Sequence, residues 1–180
     1  LALFLGYVAL ALFLHNVVLL GMPITDDEYG VRFGGQVLAM GRLSVPLPQP
    51  IAAIPHRFFW LHPVTSGPGA GQVLATSFDW PGAQVVWAIG EALGASALCF
   101  ALFAALPVLA IARIAARRLG PSSAAAAALL TLCSPMTLAL SATSHAQLVS
   151  RGLFALALDL HDSARDEHPA ARRRALLAGL

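Results

Sequence analysis

Four stretches of this chain are too apolar and too long to sit comfortably on a water-facing surface: residues Leu1–Leu20, Val85–Ile111, Ser122–Ser141 and, more weakly, Gln147–Leu160. A helix of about 20 apolar residues, rising about 1.5 Å per residue, reaches across a hydrocarbon layer of roughly 30 Å. The composition points the same way, with 58% hydrophobic and 11% charged residues against about 25% charged in a typical soluble domain. The eleven basic residues are all Arg and the net charge is +2, too little to indicate nucleic acid as a partner. The expected fold is therefore all-α: a polytopic transmembrane helical bundle, with residues 1–180 forming the N-terminal part of one such domain. A fifth span would begin near Ala175, so the chain reads as a portion of a longer protein.

Between the first two runs lies a polar, Pro-rich segment, Met22–Gln84, expected as a long extracytoplasmic loop. Pro107 lies inside the second run, Gly120-Pro121 forms a turn and Pro135 interrupts the third run. Arg151 and Asp159 weaken the fourth. The short connectors hold Arg113, Arg117, Arg118, Arg165, Arg172, Arg173 and Arg174, whereas the long segment holds only Arg32, Arg42 and Arg57. Because basic residues favour the cytoplasmic side of short loops, the N-terminus is expected inside and Met22–Gln84 outside. The first run lacks a good cleavage site after it, so it reads as an anchored span rather than a signal peptide.

The acidic cluster Thr25-Asp26-Asp27-Glu28-Tyr29 follows the first run directly. Thr25 and Glu28 have the spacing of a capping box, flanked by Ile24 and Tyr29 as a hydrophobic staple. The spacing predicts a helix from Asp26 to about Met40, stopped by Gly41, with Tyr29, Phe33, Val37 and Met40 along an apolar face resting on the membrane interface. Capping uses only part of the negative charge, which leaves Asp26 or Asp27 available to a substrate. Further along, Arg57 stands beside Phe58, Phe59 and Trp60 and between His56 and His62, a combination suited to a phosphate at headgroup depth or to an ordinary interfacial belt. The two histidines and the loop acids lack a specific metal-ligand spacing, and no cofactor or metal is expected. Ser66–Gln72 is Gly-rich without the Lys-Ser/Thr ending of a phosphate-binding loop and reads as a flexible loop. Glu91, His145 and Arg151 are each placed near the outer ends of apolar runs, and Cys99 and Cys133 read as small core residues.

The succession Asp27-Glu28-Tyr29, Gly41-Arg42-Leu43 with a Pro-rich continuation, Gly71-Gln72-Val73-Leu74-Ala75, and then Ser134-Pro135 with Ser144-His145 resembles the GT-C superfamily of membrane glycosyltransferases. It is most similar to the bacterial members related to protein mannosyltransferases and aminoarabinose transferases. The resemblance implies an enzyme of the bacterial inner membrane that moves a sugar from a polyprenyl-phosphate donor to an acceptor on the outer face. It implies Asp27 as general base, with Asp26 and Glu28 as the other catalytic candidates. Arg57, then Arg42, would hold the leaving phosphate, and His56, His62 and His145 complete the substrate-binding candidates. Members often carry an aromatic, basic and Pro-Pro element before the Gly-Gln segment, which Val64–Gly69 lacks. From the residues alone, a transporter or flippase subunit and an inert membrane assembly protein remain the competing readings. A transporter would place its ionisable groups near the bilayer midplane, whereas here they gather at one boundary.

Overall fold

The computed structural model describes residues 2–48 and 59–164. It does not show the all-α polytopic bundle that hydropathy suggests. Among the described residues seven helices accompany a three-stranded antiparallel sheet, and one of those helices is both long and apolar enough to cross a membrane. The chain divides into two compact units, one of residues 1–22, 100–143 and 147–180, the other of residues 23–99 and 144–146.

The second unit occupies most of the segment expected as a loop. Helix α2 (Asp26–Ala39) is followed by β1 (Val45–Leu47), β2 (Phe59–Pro63), β3 (Val73–Ser77) and α3 (Pro81–Ala92). β3 is the central strand: Val45 faces Ala75 on one side, and Leu61 faces the same Ala75 on the other. Pro46 and Pro63 both lie on edge strands, where a missing N–H costs no ladder bond. The Gly-rich stretch is the β2–β3 connection, closed by Val64 N–H donating to the Gln72 carbonyl at 2.9 Å and turned by Gly67, Gly69 and Gly71 with positive φ. Phe59 packs a tilted ring on Phe33 at 4.3 Å.

Helix α2 starts at Thr25 and turns off at Gly41, whose φ is +70°, but the expected face of Tyr29, Phe33, Val37 and Met40 is not one uniform surface, because Val37 is buried within the unit. Tyr29 and Met40 are exposed, and the buried side instead contains Gly30, Val31, Gly34, Gly35 and Val37. Glycines bring its backbone against α3: a Cβ on Gly34 would lie 2.4 Å from Gln84, and one on Gly35 would lie 2.5 Å from Trp87. The helix thus buries backbone and small residues against a neighbour, which a search for large apolar side chains does not detect. Replacing Gly35 by Val should displace Trp87 and cost about 1–3 kcal/mol through overpacking. Denaturant unfolding should show that loss, and a variant of wild-type stability would refute this packing.

The other unit contains α1 (Ala2–Phe13), continued by a π-helical turn over Leu14–Val18. With it are the main length of α4 (Ser96–Leu119), α5 (Pro121–Leu132), α6 (Pro135–Ser141) and nearly all of α7 (Ala146–Ala164). The run expected as one span over 85–111 is split, because α3 ends at Leu93-Gly94, where Gly94 has φ +65° and Ala95 N–H donates back to the Gly90 carbonyl. The spanning candidate is consequently α4, whose 24 residues extend about 36 Å. The run 122–141 is broken between α5 and α6, which bend by 67°. Exposed Cys133 ends α5, and the Ser134 side chain accepts from Thr137 N–H to start α6. Ala2–Val18 is a shorter apolar helix, and the expected fifth span lies outside the described residues.

Two consequences of sequence hold α4 to α7. Pro107 has no N–H, so the carbonyl of Phe103 lacks its helical donor. Gly152 lies against that carbonyl, and a Cβ there would come within 2.6 Å of the oxygen. Near the other end, Asp159 is buried and accepts from Arg117 at 2.6 Å and pairs with Arg113 at 3.2 Å, while Asp162 pairs with Arg117 and Arg118. Asp159, which in the sequence only weakens the fourth apolar run, is the buried centre of an ion-pair network.

Candidate functional site

Within the second unit, Glu28 is the anchor. Its side chain is 0% exposed and its carboxylate has two jobs. Oε1 accepts from Ile24 N–H at 3.0 Å and from the Thr25 hydroxyl at 3.3 Å. Oε2 accepts from the backbone N–H and hydroxyl of Ser144 at 2.9 and 3.1 Å. The expected capping box is therefore redirected, since the Thr25 hydroxyl bonds Glu28 rather than a helical N–H. What the carboxylate ties down instead is a segment 116 residues away. Arg32 completes the tie by donating Nε–H to Ser144 Oγ at 2.9 Å, with its guanidinium 5.0 Å over the Trp87 ring. Burial draws the Arg32 pKa down from its usual range, and the Glu28 charge opposes that shift.

The tie at Ser144 fixes the next residue. His145 is mostly buried, at 12% exposure, and places Nε2 3.7 Å from Oδ2 of Asp27, which is half exposed. That separation suits a charge contact or a proton path through one water. Asp27 thus has access to solvent on one side and an imidazole on the other. Next to this pair lies Asp79, whose Oδ2 is buried and has no hydrogen-bond partner among the described residues. Burial raises the Asp79 pKa, the charge of Asp27 raises it further, and His145 opposes the rise. Gly30 makes room for this carboxyl, since a Cβ there would stand 2.1 Å from Oδ2. Asp79 is held from its backbone side, where Gln84 donates to its carbonyl at 2.7 Å and its own N–H donates to Ser77 Oγ at 3.3 Å.

A carboxyl with a raised folded-state pKa binds its proton more tightly folded than unfolded. It therefore subtracts stability as pH rises from the ordinary carboxylate range, near pH 4, through the folded value. Asp79→Asn should remove that loss, giving a variant more stable than wild type at neutral pH with a flatter stability profile. Thermal melts across that pH range test this, and an Asn variant less stable at neutral pH would contradict it.

The other expected site residues do not gather here. Asp26 is exposed at the first turn of α2, Arg42 is exposed just beyond its end, and His62 is exposed on edge strand β2. Arg57 and His56 lie outside the described residues. Glu91 is exposed on α3, where it accepts the Trp87 indole N–H at 2.8 Å. Among the described residues no three His, Cys, Asp or Glu side chains are arranged to hold a metal ion. Asp79 and Arg32 are the site residues that motif reasoning misses. The adjacent sequence Ser77-Phe78-Asp79-Trp80 carries no recognisable spacing to either cluster.

No protein-family model matches the chain, and neither a curated protein nor a solved structure shows detectable similarity to it.

Proposed function

We propose that Asp27 and His145 form the proton-transfer centre of a membrane-associated glycosyltransferase that draws its sugar from a polyprenyl-phosphate donor. The observation that carries this reading is the joining of Asp27-Glu28 to Ser144-His145 through the buried Glu28 carboxylate. These are two of the short segments on which the GT-C resemblance rests. An enzyme of this kind needs a base with solvent access and a fixed neighbour, and half-exposed Asp27 beside His145 meets that need.

In the proposed reaction the acceptor hydroxyl oxygen forms the new bond to the anomeric carbon while its proton passes to the Asp27 carboxylate. The bond from that carbon to the donor phosphate breaks, and its electron pair leaves on the phosphate. A cation must meet the developing charge; Arg42 is exposed near the end of α2, and Arg57 keeps the role that the resemblance gives it. Glu28 is assigned to positioning, because its lone pairs are occupied by Ile24, Thr25 and Ser144.

Membrane association is supported by α4 and by large apolar side chains left exposed elsewhere, including Leu130, Met136 and Phe154; surfaces of this kind mark contact with lipid or protein. Arg113, Arg117 and Arg118 support a cytoplasmic C-terminal end of α4 by the positive-inside tendency. With that orientation the chain entering Ser96 would be extracytoplasmic, which supports an outer-face location for the chemistry. The inner membrane of a bacterium is the corresponding location.

Membranes containing the protein test the reading when supplied with radiolabelled hexosyl or aminopentosyl polyprenyl phosphate. Transfer of label out of the lipid pool is expected, with release of polyprenyl phosphate. Release no faster than in membranes lacking the protein, for both donor types, would overturn it.

A further inference from the structure

Asp79 belongs to the Asp27 site, yet no step of the proposed reaction uses it. Gly30 follows Asp27 by three residues on α2, so the two positions share one helix face about 5–6 Å apart. A Cβ on Gly30 would lie 2.1 Å from Oδ2 of Asp79, so the Asp79 carboxyl fills the space where a side chain at position 30 would begin. Oδ2 is buried there with no hydrogen-bond partner among the described residues. Asp27 in turn faces Nε2 of His145, whose Nδ1 is also buried and without such a partner. Two carboxyl groups and an imidazole thus share one site.

The other charges of this region are engaged elsewhere: Glu28 and Arg32 bind Ser144 and lie 3.9 Å from each other. From its own connection Asp79 is held by the neutral Ser77 and Gln84. Asp27 and His145 are therefore the charges to which it responds. Burial is the largest reason that Asp79 holds its proton beyond the ordinary carboxylate range; Asp27 adds to that hold and His145 opposes it. Coupled carboxyls lose their protons in separate steps. Because the proton stays longer on the buried member, the pair passes through a form charged at the solvent-facing Asp27 alone before the second charge appears. An anionic donor approaching Asp27 meets one negative charge in the first form and two in the second. We propose that Asp79 is a charge switch on donor binding: protonated, it lets the polyprenyl-phosphate sugar approach Asp27, and ionised, it repels the donor phosphate. The donor named here rests on the transferase reading, whereas the coupling of Asp79 to Asp27 does not.

Carbon-13 NMR of the intact protein labelled at the aspartate carboxyl carbons, with Asp79→Asn assigning the resonance, measures the coupling without any activity. The Asp79 midpoint should fall by about half a pH unit or more in Asp27→Asn, the effect of removing one charge about 6 Å away in water-like surroundings. Donor saturation curves then test the switch. Between a pH below the Asp79 midpoint and one above it, the donor KM of the wild type should rise about threefold or more, and Asp79→Asn should show no such step. An Asp79 midpoint unmoved by Asp27→Asn, or a donor KM that climbs equally in Asp79→Asn, would overturn the switch and leave the transferase reading standing. Coupled titration without sugar transfer in any of these proteins would instead overturn the transferase reading, and the donor role of Asp79 with it.

Discussion

Glu28→Ala is expected to destabilise the protein by about 3–5 kcal/mol, the range for removing one partner of a buried charged network. The carboxylate accepts from Ile24, Thr25 and Ser144 and lies 3.9 Å from Arg32. Alanine leaves two backbone N–H groups without acceptors, at about 1–3 kcal/mol for a buried unsatisfied group, and it leaves Arg32 without its carboxylate. Glu28→Gln keeps the shape and one acceptor oxygen, but its amide NH₂ must face either Ile24 N–H or Ser144 N–H, both of them donors. Its loss should therefore be smaller than that of alanine but still measurable. Denaturant unfolding gives the size, and hydrogen exchange at the Ser144 amide gives the place: protection there should fall in both variants. Wild-type stability in Glu28→Ala would show that the join between the two segments is not held by this carboxylate.

A comparable loss is expected from Asp159→Ala, at the opposite end of the chain's charge pattern. Asp159 is buried beneath Arg113 and Arg117, and its removal strands two cations. Arg117 retains Asp162 at 2.9 Å, and the Arg113 side chain is about half exposed, at 55%. These two facts place the expected cost near the lower end of the range, about 3 kcal/mol. Adding Arg113→Ala to Asp159→Ala should recover little, because that guanidinium already reaches solvent. Adding Arg117→Ala should recover more. A double-mutant cycle separates these pair terms, and a coupling energy larger for Arg113 than for Arg117 would contradict the geometry.

The parts of the fold that could be read from the sequence are those set by local backbone chemistry. Thr25 and Gly41 bracket α2, Gly120-Pro121 starts α5, and Ser134-Pro135 starts α6. Each is a cap or a fixed φ that acts within a few residues. The helix break inside the second apolar run was not legible, because hydropathy averages over Gly94 without registering the turn made there. The sheet was hidden for a different reason. Its strands are three to five residues long, two of them contain Pro, and their pairing bridges a segment whose composition is that of a loop.

The candidate site divides along similar lines. Asp27 and His145 stand in short segments that a reader can single out, but the tie between them depends on Glu28, which spacing alone assigns to helix capping. Asp79 carries no local signal: its raised pKa comes from burial against Gly30 and from the charge of Asp27, neither of which is adjacent in sequence. Likewise, Asp159 reads as an interruption of an apolar run and the Arg residues of α4 as topological charges until the pairing of two distant helices brings them together.

The central functional claim rests on one side chain. Asp27→Asn keeps the size of the residue, leaves the Glu28 and Ser144 bonds in place and removes the base at a half-exposed position, so folding should be unaffected. The decisive measurement is the rate of sugar transfer from polyprenyl phosphate by this variant in membranes where its abundance matches wild type. A fall of about 10²–10⁴-fold, the usual contribution of a general base, is the expected result, whereas transfer within about twofold of wild type would contradict the assignment of Asp27 as the base.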